Sequence, residues 1–169
     1  IDPSYLHMAI MKLRAMGGCV DAGDDWITCS RNQPLQPTDI QTLPHPGFPT
    51  DLQAQFMLLC SLAHGTSMVT ENVFENRFMF ASELARMGAD ITIEDHHALV
   101  RGVNDLQGTD VSSTDLRAGA ALVLAGIVAE GETRVHNIKH IDRGYEDYCG
   151  KLSQLGASVS RRQVGAAGE

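Results

Sequence analysis

The chain has 169 residues, 43% of them hydrophobic, which suffices for one domain with a core of its own. Its formal charge of -8 argues against generic binding to a nucleic-acid backbone, and no apolar run reaches the length of about 18 residues read as a membrane span. A small anionic ligand stays open, because locally placed arginines override the global sign.

Leu6, Ala9, Ile10, Leu13 and Met16 recur at helical spacing, and Gly17 is placed to end that helix. Short strands are expected at Cys19–Val20 and Trp26–Cys29 around a Gly23-Asp24-Asp25 turn. Residues 31–49 carry five prolines and predict a connecting segment with at most one short strand, near Ile40–Thr42. A helix opens after Pro49: Thr50 is placed as its cap, Gln53 completes a capping box, and Leu52, Phe56, Leu59 and Ala63 share one face. Asp51 therefore sits in a first turn, either complementing the helix dipole or presenting a carboxylate for proton transfer.

Further along, Met68–Val73 reads as a strand and Arg77–Met87 as a helix closed by Gly88. Two strands, around Ile91–Ile93 and Leu99–Arg101, flank an Asp95-His96 turn. A short strand at Val111 precedes a helix from Thr114 with Leu116, Ala120, Val123 and Ile127 on one side. After a strand at Thr133–Val135, a polar junction over His140–Tyr145 leads into a helix bearing Tyr145, Tyr148, Leu152 and Leu155.

These segments repeat. Leu13-Arg14-Ala15-Met16-Gly17 returns as Leu84-Ala85-Arg86-Met87-Gly88 and as Leu152-Ser153-Gln154-Leu155-Gly156, at offsets of 71 and 68 residues. Thr50-Asp51-Leu52 returns as Thr114-Asp115-Leu116 after 64 residues, and Arg77 and Arg143 stand at matching junctions 66 apart. The implied unit runs strand, helix, strand, helix, strand, strand, about two and a half times, and such units bury their faces only against one another. The first unit is incomplete, so a longer polypeptide is expected.

Positions where the copies differ are the better place to look for chemistry. Gln53 of one copy becomes Arg117 in the other, a cation at the helix end the dipole disfavours, which suits either an anion site or an ion pair with Asp115 or another carboxylate. Arg77 and Arg143 stand at loop junctions where α/β folds build sites. The four cysteines lack C-x-x-C spacing and read as isolated thiols of a reducing cytosol; the seven histidines form no metal pattern, and no Gly-rich phosphate loop is present.

The runs His45-Pro46-Gly47-Phe48-Pro49-Thr50-Asp51-Leu52-Gln53-Ala54-Gln55, Thr70-Glu71-Asn72-Val73-Phe74-Glu75-Asn76-Arg77-Phe78, Thr114-Asp115-Leu116-Arg117-Ala118 and His140-Ile141-Asp142-Arg143-Gly144-Tyr145-Glu146 together resemble the bacterial UDP-N-acetylglucosamine enolpyruvyltransferase family of the EPSP synthase superfamily. The resemblance implies an α/β fold, an inside-out α/β barrel of repeated β-α-β-α-β-β units. It also implies that residues 1–163 are most of a C-terminal domain, followed by a tail over 164–169. The implied reaction is cytoplasmic transfer of the enolpyruvyl group of phosphoenolpyruvate to the 3-hydroxyl of UDP-N-acetylglucosamine, in peptidoglycan synthesis, with no cofactor or metal. Carried over residue by residue, Asp51 falls on the general base, and Arg117 and Arg143 on arginines that contact phosphoenolpyruvate. His45, Pro46, Thr50, Val73, Phe74 and Arg77 fall in segments at the ligands. The N-terminal domain of the same enzyme is the implied partner and supplies the other half of the cleft, so the fragment alone is expected to be inactive. A shikimate-pathway enolpyruvyltransferase and a noncatalytic binding domain built on the same repeats are the alternatives.

Overall fold

The structure, a computed structural model, describes residues 2–162; the expected domain end at residue 163 and the expected tail over 164–169 lie outside the described residues. A 3-10 turn over Pro3–Leu6, capped by the Asp2 carboxylate accepting from the Ser4 N–H at 2.8 Å, leads into α1 (His7–Ala15). Gly17 ends that helix at a φ of 89°. Gly88 and Gly156 do the same at 98° and 91°, in the left-handed region where a side chain is disfavoured. The three-fold recurrence of the glycine motif is thus one backbone solution used three times.

Strands β1 (Cys19–Ala22) and β2 (Ile27–Ser30) form an antiparallel hairpin. A complete unit follows: β3 (Ile40–Gln41), a 3-10 turn over Thr50–Leu52 continuing into α2 (Gln53–Ser61), β4 (Thr66–Thr70), α3 (Ala81–Arg86), β5 (Asp90–Glu94) and β6 (His97–Arg101). Its sheet has the order β3-β4-β6-β5, with β3 parallel to β4 and the other pairs antiparallel. The next unit supplies β7 (Asp110–Ser112), α4 (Leu116–Val128), β8 (Arg134–His136) and α5 (Tyr148–Gln154), with β7 and β8 parallel.

The unit expected from the repeats is therefore present, but the expected barrel is not. Among the described residues the strands form three separate sheets of two, four and two strands, an α/β fold with mixed sheets rather than an inside-out barrel. Closure requires each edge strand to pair with the next sheet, and the four-stranded sheet ends in β3, two residues long, and β5.

Two helices lie at the centre. α2 packs against α4 and against β4 and β6, and Gln53, Ala54, Phe56, Met57, Leu58, Cys60 and Ser61 are all buried. The single face expected for α2 is thus too narrow, because a helix enclosed on several sides buries residues outside the periodic stripe. In α4 the buried residues include Ala118, Ala121, Leu122 and Ala125. Of the expected stripe, Ala120 is buried, Leu116 and Val123 are half-buried and Ile127 is exposed. Apart from Leu122, the buried side of α4 is built from small residues.

Further corrections are local. β4 is Thr66–Thr70 rather than residues 68–73, and α3 is confined to Ala81–Arg86, with residues 75–80 in consecutive turns. Thr50 does not cap: no side chain caps the 3-10 turn, and the Thr50 hydroxyl donates to Glu71 instead. Gln53 makes no capping box. Winding residues 50–52 as 3-10 makes it the first residue of α2, and its side chain is buried with Nε2 lacking a partner among the described residues.

Candidate active site

Packing α2 on α4 sets the starts of the two helices beside each other, and the contact is polar. Arg117, in the first turn of α4, donates from Nε to Asp51 Oδ1 at 2.6 Å across 66 residues of sequence. Arg77 reaches the same oxygen from Nη2 at 3.4 Å, and its guanidinium lies 4.9 Å from the Phe74 ring centre. Two cations thus converge on one oxygen of one carboxylate, and no protein group among the described residues bonds Oδ2. The Asp51 side chain is 58% exposed and that of Arg117 35%.

The twin tripeptides part company at this point. Asp115 is a helix cap, accepting from the backbone N–H of Arg117 and Ala118 at 2.8 and 3.0 Å. Asp51, its counterpart, caps nothing and turns its carboxylate to the arginines. Of the two uses foreseen for Arg117, the unliganded geometry shows an ion pair, and the partner is Asp51 rather than Asp115. The hydrogen bond that Arg117 donates to Asp51 holds the pKa of its guanidinium above the ordinary range, against partial burial, which works the other way. A pair this exposed stabilises a fold by about 0–1 kcal/mol. Stability is therefore a poor reason for its presence, and positioning of charge is a better one.

The pair lies in a concavity of about 530 Å³ lined by Leu43, Pro44, His45, Pro49, Thr50, Asp51, Val73, Phe74, Arg77 and Arg117. Seven of the nine residues singled out from the sequence are in that lining. Pro46 is not; it follows a cis His45-Pro46 peptide in the turn closed by the Gly47 N–H to the Pro44 carbonyl at 2.8 Å. Arg143 is not either. It ends the 3-10 turn Ile138–Arg143, is exposed, and makes no side-chain hydrogen bond or ion pair among the described residues. The next residue, Gly144, adjoins Leu116, where an added Cβ would lie 2.8 Å from a Leu116 methyl. Arg143 thus stands near the start of α4 with its charge uncommitted.

Sequence reasoning missed Glu71. It is 3% exposed; its Oε2 accepts from the Thr50 hydroxyl at 2.8 Å, and its Oε1 from the backbone N–H of Val73 and Phe74 at 2.8 and 3.0 Å. A lone acid inside the strand-like run from Met68 to Val73 was the available signal. No group of three or more His, Cys, Asp or Glu side chains arranged to hold a metal occurs among the described residues, and no helix there is long and apolar enough to cross a membrane.

A fold of repeated β-α-β-α-β-β units with a carboxylate and arginines at paired helix starts defines a class, and comparison with known proteins agrees. Residues 1–152 match the EPSP synthase (3-phosphoshikimate 1-carboxyvinyltransferase) family, and the chain belongs to it. Within that family its relatives include the UDP-N-acetylglucosamine 1-carboxyvinyltransferases of Psychrobacter sp. (strain PRwf-1), 50% identical over 95% of this chain, and of Aeromonas hydrophila, 52% identical over 95%. The chain spans 37% and 38% of the length of those two proteins. Among solved structures, the enolpyruvyl transferase NikO from Streptomyces tendae superposes with a TM-score of 0.83 at 36% identity, covering 90% of this chain and 36% of NikO. EPSP synthase from Acinetobacter baumannii, at 18% identity and a TM-score of 0.67 over 92% of this chain and 37% of its own, shows the shared fold alone.

Proposed function

We propose that this chain is the C-terminal part of a UDP-N-acetylglucosamine 1-carboxyvinyltransferase. It would form one wall of a site that moves the enolpyruvyl group of phosphoenolpyruvate to the sugar 3-hydroxyl and releases phosphate. The observation that carries the reading is the concavity in which Asp51 is held through one oxygen by Arg117 and Arg77 while the other oxygen has no hydrogen-bond partner among the described residues. Relatives 47% to 53% identical carry that name, which favours the nucleotide sugar over shikimate 3-phosphate as acceptor.

The chemistry follows from the charges. Addition joins the sugar oxygen to C2 of phosphoenolpyruvate as its CH₂ terminus gains a proton; elimination then expels phosphate and returns a proton from that carbon. Asp51 is the base for the 3-hydroxyl proton, which its unpaired Oδ2 accepts. Arg117 and the uncommitted Arg143 hold the phosphate and carboxylate of phosphoenolpyruvate, a task suited to planar, permanently charged guanidiniums. Once an anion draws Arg117 away, Asp51 is released for proton transfer. His45, Pro46, Thr50, Val73, Phe74 and Arg77 shape the nucleotide-sugar side of the cleft. A cytoplasmic location, where both substrates are made, goes with this reading.

The test is a chimaera in which this chain replaces the matching segment of the Psychrobacter relative, assayed for phosphate release. Transfer to UDP-N-acetylglucosamine is expected, and Asp51→Asn should lower kcat by about 10²–10⁴-fold while ligand affinity changes little. Transfer to shikimate 3-phosphate instead, binding without transfer, or undiminished turnover in Asp51→Asn would overturn the reading.

A further inference from the structure

Glu71 belongs to neither the proposed base nor the proposed anion site, yet it ties together two parts of the wall around them. Resting on the nucleotide-sugar reading above, we infer that Glu71 is the positioning residue that sets the nucleotide-sugar side of the cleft, by fixing the Val73–Phe74 segment to the turn that carries Asp51.

The geometry is a three-way clamp. One oxygen takes the hydroxyl of Thr50, the neighbour of Asp51, and the other takes two successive backbone N–H groups, of Val73 and Phe74. Thr50, Val73 and Phe74 all line the concavity that holds Asp51, whereas Glu71 itself lines the adjacent one, of about 330 Å³, with Arg77 and Phe74 shared between the two. The carboxylate therefore acts from behind the wall. Its own backbone is fixed, the Glu71 N–H donating to the His96 carbonyl at 2.9 Å. Asn72 is held to Thr42 by two hydrogen bonds, from its N–H to Oγ1 at 2.9 Å and from Nδ2 to the carbonyl at 3.2 Å.

A buried carboxylate is costly, and no cation pairs with Glu71 among the described residues. Its three hydrogen bonds must offset that cost, and they do so only while Thr50 and the 73–74 segment keep their present separation. Val73 and Phe74 are exposed, so little apolar packing would hold them there otherwise. Loss of the clamp therefore loosens a ligand wall rather than the core.

The chimaera of the preceding section supplies the test, with KM for each substrate, kcat and urea unfolding measured for Glu71→Ala, Glu71→Asp and Glu71→Gln. Alanine removes the clamp and aspartate keeps the charge but falls short of one partner. Both should raise KM for UDP-N-acetylglucosamine by about tenfold while KM for phosphoenolpyruvate moves less than about twofold. Glutamine should rescue to within about threefold. Its carbonyl accepts from both backbone N–H groups and its NH₂ donates to Thr50, whose hydroxyl serves equally as acceptor. The aspartate variant keeps the readout available if the alanine variant does not fold. Unchanged KM for the sugar in the aspartate variant, equal shifts in both KM values, or a glutamine variant as impaired as aspartate would overturn the assignment while leaving the reaction intact. A wild-type chimaera that fails to use UDP-N-acetylglucosamine would overturn the function reading and the inference together.

Discussion

Cys60 shows how one side chain reports on the enclosure of α2. It is fully buried, its thiol 3.6 Å from the Thr38 carbonyl, and burial pushes its pKa from 9.0 up to about 11. Cys19 and Cys29 are exposed. Alkylation with iodoacetamide at pH 8, followed by peptide mass mapping, should label those two and spare Cys60 until the chain is unfolded. The same burial has a signed consequence for stability. A thiol whose folded pKa is raised holds its proton longer folded than unfolded, so stability falls as pH climbs from about 9 to about 11. Urea midpoints that fall over that window in the wild type, and less in Cys60→Ala, would bear this out. At this scale the sequence was also informative about the site. Asp51, Arg117, Arg77, His45, Thr50, Val73 and Phe74 share one concavity, although four of them stand more than 20 residues from Asp51 in sequence. Glu71 escaped because residues 71–73 read as strand, which hides the turn whose Val73 and Phe74 N–H groups it accepts from, and its third donor, Thr50, stands 21 residues away.

The elements were legible to different degrees, and the reason lies in what each one touches. Tight turns and glycine-closed helix ends came through, namely the three left-handed glycines, the Asp95 turn at a φ of 53°, and the β5–β6 hairpin around it, though the cap expected at Thr50 did not. The faces of α2 and α4 did not, because a helix enclosed on several sides buries residues outside a single stripe, and the buried side of α4 consists mostly of alanines that composition alone treats as neutral. The end of β4 also shifted: the strand stops at Thr70, and beyond it the Glu71 side chain accepts from the Val73 and Phe74 N–H groups in a turn. Close approach recurs where β6 ends: the Gly102 N–H donates to the Gly65 carbonyl at 2.8 Å, and a Cβ on Gly102 would lie 1.6 Å from the Ala63 carbonyl oxygen. That neighbour is backbone, so it cannot swing aside. Gly102→Ala should force β6 away from the end of α2 and destabilise the fold by about 1–3 kcal/mol or more in urea unfolding. A midpoint equal to that of the wild type would show that the segment after α2 moves freely.

For the whole molecule, the open sheets and the open site raise the same question. The carboxylate and guanidiniums stand on one wall, with Asp51 58% exposed, and the Psychrobacter and Aeromonas relatives are more than twice this chain's length. General-base transfer and anion stabilisation in the proposed reaction both gain from excluding water, because charges interact far more strongly in a low-dielectric site than at a surface. An exposed Asp51 paired with Arg117 has water competing for every one of those contacts. Phosphate release by the isolated chain with both substrates should therefore be undetectable, while the chimaera turns over. Weak binding of an anion to the isolated chain is still expected, since Arg143 has no ion pair among the described residues and Arg117 needs only to exchange one carboxylate for another. A titration with phosphoenolpyruvate, followed by changes in the backbone amide resonances of residues 116–118 and 143–144, would detect it. Turnover by the isolated chain near that of the chimaera would mean that one wall suffices, and the second half of the cleft would lose its assigned part in the chemistry.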